Sequence, residues 1–363
     1  MERDGFTETF SKLGAGLFSS GCGPCIGQWD RQDVPAGVKN SIVTSFNRNF
    51  ARRNDGRAET HAFVVSPDIV IALAVAGRID FNPLTDSIPL PGGGEFRFSP
   101  PVGNTLPANG FDQGADTYTP PPSLEGAAKV QLSVNPKSER LSLLEPFAAW
   151  DGKDITGVPI LVKTVGKLTT DAISAAGPWL RFRGHLPNLA KNTYQGAINA
   201  ETGLEGVTRN PLTGNDGEKI PEVALAMREA GKNWVILADD NCGEGSSRES
   251  AALQPRYLGA RAVIARSFAR IHATNLVKQG LLALTLADRD DYDRISGYDT
   301  IDIVGLSDLA PGKPITVVVH PFDGKPKFEV ETSHILNEEM IEWFKHGSCL
   351  NYIKANLAKN GGN

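Results

Sequence analysis

The chain has 363 residues, a length that suits two or three domains. Hydrophobic residues make up 40% and charged residues 22%, ordinary values for a soluble globular protein. The net charge of -5 gives no electrostatic reason to expect nucleic acid or an anionic membrane as partner, and no apolar run approaches the ~18 residues of a spanning helix. Four cysteines, two of them in one C-x-x-C, do not make a secreted disulfide framework and point to a reducing compartment. Met1–Gly5 has neither the apolar core of a signal peptide nor the Arg/Ser-rich, acid-poor look of a transit peptide.

Residues 1–20 read as a short amphipathic helix followed by a strand that rises to Gly21-Cys22-Gly23-Pro24-Cys25. Gly23 and Pro24 bend the backbone so that both sulfurs can face one point. A C-x-x-C can be a zinc half-site, a thioredoxin-like redox pair or part of an iron–sulfur ligand set. Ser41–Phe46 alternates and is β-branched, so it reads as a strand. It delivers the polar run Asn47–Gly56, which holds Arg48 and Arg53. Ser66-Pro67-Asp68 opens a helix with an N-cap, a proline in the first turn and an acid behind it. Ile69 to Ala76 is apolar on nearly all sides and is expected to be buried.

Regular structure fades from Pro83 to Pro122, punctuated by Gly92-Gly93-Gly94, Pro100-Pro101 and Pro120-Pro121-Pro122, and 84–145 reads as one irregular stretch. So long an irregular stretch argues for a linker between domains. Strands follow at Val158–Val165, Asn233–Ala238, Ala262–Ala265, Leu282–Leu286, Ile301–Val304 and Ile315–Val319, with helices at Glu222–Ala230 and Asn337–Phe344. The pattern is α/β with a mixed sheet, open or closed into a barrel.

Gly243-Glu244-Gly245-Ser246-Ser247-Arg248-Glu249 lies between a strand and a helix. Glycines let the backbone approach a ligand, a helix N-terminus offers unpaired N–H groups to an anion, and Arg248 brings a fork that fits a carboxylate. Asp171 and Arg183 stand in a second motif, Thr169–His185, that carries little weight by composition alone. His272 reads as structural, and Cys242 and Cys349 as ordinary buried or half-buried thiols. His61, His320, His334 and His346 belong to no constellation.

The string Gly21–Asp30, together with the serine loop and Thr169–His185, resembles the aconitase family of the mitochondrial type, of which this chain looks like the C-terminal half. Most members carry Ala at the position of Gly21. The resemblance implies that residues 1–83 are the C-terminal part of a cluster-bearing α/β/α domain, that 84–145 are a linker, and that 146–363 are a swivelling β/β/α barrel domain. It implies that Cys22 and Cys25 hold irons of a [4Fe–4S] cluster, with Asn47 near that cluster. A third cysteine and the Asp–His pairs that protonate the leaving hydroxyl lie upstream in the family, and no cysteine precedes Cys22 here. Ser246 would act as an alkoxide base toward the carbon-bound proton, and Asp171 would orient active-site groups. Arg48, Arg53, Arg183, Ser247 and Arg248 would bind the carboxylates of a tricarboxylate.

Three positions depart from the family pattern: Ala172 and Ser250 stand where His is usual, and Gln254 replaces a usual Glu. The implied function is that of a hydro-lyase half interconverting citrate and isocitrate through cis-aconitate, inactive as an isolated chain. The alternatives are a truncated or diverged non-catalytic paralogue that binds a tricarboxylate, and a homoaconitate-type hydratase. The implied location is the mitochondrial matrix, with any address upstream of Met1. No nucleic acid or membrane partner is expected, and the full-length protein is expected to be a monomer.

Overall fold

The computed structural model describes the chain except residues 19–22, 27, 28, 47–50, 104–108, 122 and 361–363. It divides into two compact units, Met1–Leu132 and Ser133–Asn363, a division that falls inside the 84–145 segment.

The first unit holds helix α1 (Phe6–Lys12), strands β1 (Asn40–Thr44) and β2 (Thr60–Val64), helix α2 (Pro67–Ala76), the two-residue strands β3 (Ile88–Pro89) and β4 (Glu95–Phe96), and helix α3 (Leu124–Ala128). β1 and β2 pair in parallel, and β3 pairs with β4. The strand expected after α1 is not formed over residues 13–18. A strand needs a hydrogen-bonded neighbour, and no described strand flanks that stretch. The Ser66 hydroxyl caps α2 by accepting from the Ile69 N–H at 3.4 Å. The expectation that α2 is buried is wrong for this chain: Ala72 is its one buried residue, while Ile71 and Val75 are 41% and 37% exposed. α2 packs on β1, with Ile69, Val70, Leu73 and Ala76 half-buried. The 84–145 segment is less irregular than expected, since it contains the β3–β4 hairpin and α3.

The second unit is a closed barrel. Its strands are β5 (Ile155–Lys163), β8 (Trp234–Ala238), β9 (Ala260–Ala265), β10 (Leu282–Leu286), β11 (Thr300–Val304), β12 (Ile315–His320) and β13 (Phe328–His334). A small hairpin, β6 (Val207–Thr208) with β7 (Glu218–Lys219), stands outside it. Around the barrel the order is β10-β13-β12-β11-β5-β8-β9. β5, β8, β9 and β10 run parallel, while β11, β12 and β13 are antiparallel to their neighbours.

The sequence dictates this split. Trp234-Val235-Ile236-Leu237-Ala238 is uniformly apolar, and all five residues are buried. That is the pattern of a parallel strand covered on both faces. Phe328–His334 alternates, burying Val330 and Thr332 while Glu329, Glu331 and Ser333 face outward, the pattern of an antiparallel strand with one wet face.

In chain order the helices of this unit are α4 (Thr170–Ile173), α5 (Leu186–Leu189), α6 (Ile220–Glu229), α7 (Ser250–Tyr257), α8 (Arg270–Lys278), α9 (Asp291–Arg294), α10 (Glu338–Lys345) and α11 (Cys349–Asn360). α6 packs on β5, α7 on β9 and α8 on β10. α6 buries Ile220, Val223, Ala224 and Met227, a helical i, i+3, i+4, i+7 stripe. Asn337 caps α10 through its side-chain oxygen, 2.8 Å from the Met340 N–H, and α10 buries Ile341 and Phe344. Each of those side chains contributes roughly 1.5–3 kcal/mol by leaving water.

Candidate functional site

Three loops leave the C-terminal ends of parallel strands β5, β8 and β9, and backbone hydrogen bonds clip them together. The Gly243 N–H donates to the Leu168 carbonyl at 2.7 Å, and the Thr170 N–H donates to the Glu244 carbonyl at 2.9 Å. On the other side the Cys242 N–H donates to the Ser267 carbonyl, and the Ala269 N–H donates to the Cys242 carbonyl, both at 2.9 Å. The serine loop is therefore held between its two neighbours. The carboxyl ends of parallel strands are where α/β sheets usually bind ligands.

These loops surround a cavity of about 370 Å³ whose lining includes Thr170, Ser246, Ser247, Arg248, Arg270 and His272. α7 starts at Ser250, so Ser247 and Arg248 sit just ahead of a helix N-terminus, where the backbone dipole favours an anion. Ser246 is half-buried and Ser247 is exposed. Arg248 is ion-paired to Asp171, whose side chain is 20% exposed against 13% for the arginine. The Arg248 guanidinium also donates to the Ser174 carbonyl at 2.7 Å and to the Thr170 carbonyl at 3.3 Å. Asp171 lies in the first turn of α4, and the Thr169 hydroxyl caps that turn by accepting from the Ala172 N–H at 3.1 Å.

Close packing fixes the floor of the cavity. Gly243 has φ +81°, and a Cβ there would fall 2.1 Å from Cγ of the His272 ring. His272 is 2% exposed, and neither ring nitrogen has a hydrogen-bond partner among the described residues. Burial holds its pKa down at about 4, so the imidazole is neutral at pH 7. Beneath the loop, burial pushes the Cys242 thiol up to about 12, which makes it an inert core residue.

Thus Ser246, Ser247, Arg248 and Asp171 come together. Arg183 does not join the cavity lining: it is exposed at the end of the 3-10 helical segment Gly177–Phe182. Asn47, Arg48 and Cys22 lie outside the described residues. Arg53 is described and buried, at 5% exposure. Sequence reasoning missed Arg270 and Asn275 as lining residues and gave His272 no place at a cavity. The signal available was Ser267–Ala269, a break after β9 that opens α8.

Cys25 is a free, half-buried thiol on the turn Pro24–Ile26. Asn54, itself buried, reaches the Pro24 carbonyl with its side-chain amide at 3.4 Å. Soft thiolates at C-x-x-C spacing are the right donors for iron–sulfur ligation, and Cys22 and Cys25 supply two thiolates of such a set. The fit is therefore correct in donor type and incomplete in number. Among the described residues no group of three or more His, Cys, Asp or Glu is arranged to hold a metal ion, and no helix is long and apolar enough to cross a membrane.

A sequence profile of the aconitase C-terminal domain matches residues 158–289, and a profile of the aconitase family (aconitate hydratase) matches residues 1–77. The chain is 53% identical to the mitochondrial aconitate hydratase of Saccharomyces cerevisiae over 359 residues, covering 99% of this chain and 46% of that protein. It is 52% identical to the probable mitochondrial aconitate hydratase of Dictyostelium discoideum over 359 residues, with coverage of 99% and 46%. The chain thus spans about half the length of the curated relatives it matches. Among solved structures, a 3-isopropylmalate dehydratase from Methanocaldococcus jannaschii is 27% identical, covers 58% of this chain and 98% of its own, and has a TM-score of 0.39.

Proposed function

Because the chain belongs to the aconitase family, we propose that its barrel unit carries the carboxylate-binding half of a hydro-lyase that acts on a hydroxy-tricarboxylate. The observation that supports this most is the Ser246-Ser247-Arg248 loop, which lines a cavity beside a helix N-terminus while Asp171 holds Arg248. A carboxylate is planar, and a guanidinium fork grips it with two parallel bonds.

In this reading Arg248 and Ser247 bind substrate carboxylate. Ser246 takes the carbon-bound proton, an act that needs its alkoxide stabilised by nearby positive charge and by the helix N-terminus. Asp171 orients Arg248. Arg48, Arg53 and Arg183 bind carboxylate as well. Cys22 and Cys25 would hold irons of a [4Fe–4S] cluster, near Asn47. When bound, such a cluster supplies an exposed iron as a Lewis acid toward the substrate hydroxyl. Residues 146–363 would be the family's swivelling domain. By likeness to its relatives the protein belongs in mitochondria.

The test is calorimetric titration of this chain with citrate, isocitrate, cis-aconitate and homocitrate, followed by a cis-aconitate hydration assay after anaerobic treatment with iron and sulfide. Saturable tricarboxylate binding that is lost in Arg248→Ala supports the reading. Heats indistinguishable from dilution for every tricarboxylate overturn it. Preference for homocitrate over citrate would assign the homologous substrate; binding without turnover fits an isolated half and a non-catalytic paralogue alike, so the binding measurement decides the reading.

A further inference from the structure

Arg248 does not rest on Asp171 alone. One of its nitrogens donates to the backbone carbonyl of Ser174 at 2.7 Å. Ser174 closes α4 and is 2% exposed. Its hydroxyl lies 2.9 Å from the Ser250 hydroxyl and accepts from the Gln254 side-chain amide at 3.0 Å. Gln254 is fully buried, and its side-chain oxygen lies 3.1 Å from the Thr193 hydroxyl. Ser250 and Gln254 are four residues apart on α7, so both side chains leave the same face of that helix.

Every member of this network is neutral, and each bonds at least one other member. A buried amide satisfied on both its donor and acceptor ends is rigid, because losing either bond exposes an unpaired polar atom to a low-dielectric interior. We propose that Ser174, Ser250 and Gln254 are positioning residues for Arg248: they pin the turn after α4, and through the Ser174 carbonyl they fix the orientation of the guanidinium. The proposal builds on the reading of Arg248 as a carboxylate clamp. It also makes a claim about the ligand-free chain that stands without that reading.

The experiment therefore has two readouts. The first is the Arg248 side-chain Nε–H resonance in ¹⁵N-labelled protein, assigned through its loss in Arg248→Lys. The second is the citrate dissociation constant. Gln254→Met keeps the volume and removes both hydrogen bonds; Ser250→Ala removes one hydroxyl; Ser250→Thr restores it. The expected result is a shifted or broadened Arg248 resonance in Gln254→Met and Ser250→Ala, at least fivefold weaker citrate binding in both, and recovery of both readouts in Ser250→Thr. Wild-type Arg248 resonances in folded Gln254→Met and Ser250→Ala would overturn the proposal. Should Gln254→Met fail to fold, the Ser250→Ala and Ser250→Thr pair decides alone. A shifted resonance in a chain that binds no citrate would uphold the positioning role and sink the clamp.

Discussion

Arg248 and Asp171, 77 positions apart in sequence, form an ion pair in which neither side chain is more than 20% exposed. Removing the carboxylate leaves a guanidinium that is poorly reached by water and held, among the described residues, by two backbone carbonyls. Asp171→Ala should therefore lower stability by about 1.5–3 kcal/mol, the range for a hydrogen bond to a charged group. Asp171→Asn, which can still accept a hydrogen bond, should lose less. Urea unfolding of the three proteins checks the order, and an Asp171→Ala variant as stable as wild type would show that the carbonyls alone hold Arg248.

Gly243 and His272 make the second prediction. In Gly243→Ala the new methyl group would overlap the imidazole, in a backbone conformation that L-residues rarely adopt. The expected loss is about 2–4 kcal/mol, from overpacking and a positive φ together. Shrinking the ring relieves the overlap, so His272→Ala should cost much less in the Gly243→Ala background than in wild type. Strictly additive losses in that double-mutant cycle would mean that the two residues do not press on each other.

The parts of the fold that could be read in advance are those where periodicity is strong. The continuous apolar run at β8, the run at β10 broken by Thr285 alone, and the amphipathic stripe of α6 were legible because burial on one or both faces leaves a local signature. β13 was missed because Glu329, Glu331 and Ser333 interrupt its apolar residues. α8 was missed because Arg270, His272, Thr274 and Asn275 dilute its apolar face. At the site, Ser246, Ser247 and Arg248 could be read from one contiguous string. The association of Ser250, Gln254 and Ser174 could not: in sequence, Ser250 and Gln254 look like two separate departures, and only the packing of α7 against the end of α4 brings them to one hydroxyl. The burial expected of α2 failed because a uniformly apolar string says that a helix should be covered, not which segment covers it.

Thiol accessibility gives a third prediction. Cys25 is half-buried on a turn, whereas Cys242 is fully buried with its thiol pushed up to about 12. Brief iodoacetamide treatment of the native chain, read by peptide mass spectrometry, should label Cys25 and leave Cys242 intact until the chain is unfolded. Anaerobic loading with iron and sulfide should protect Cys25, and Cys25→Ser should lose the bound iron while Cys242→Ser keeps it. Iron retained in Cys25→Ser would remove the C-x-x-C from the proposed ligand set.

His272 supplies the pH dependence. Its folded pKa is about 4 against an ordinary value of 6.5, and burial is the cause. Above pH 6.5 the ring is neutral in both states and titration costs nothing. As pH falls from 6.5 toward 4 the unfolded chain takes up a proton that the folded chain refuses, so stability is lost across that window. At roughly 1.4 kcal/mol per pKa unit the loss approaches ~3 kcal/mol by pH 4. His334 is also held below its ordinary value by burial and adds to the same slope. His272→Phe keeps a ring against Gly243 and removes the titrating group. Its stability should equal or exceed wild type at pH 7, because the two ring nitrogens left without partners are gone. The difference between the two proteins should widen steadily between pH 6.5 and 4, with the residual slope of the variant belonging to His334 and the carboxylates. Parallel stability curves for wild type and His272→Phe across that window would show that the imidazole is hydrated or hydrogen-bonded in solution, and that the cavity reaches deeper beneath the serine loop than the packing of Gly243 on His272 allows.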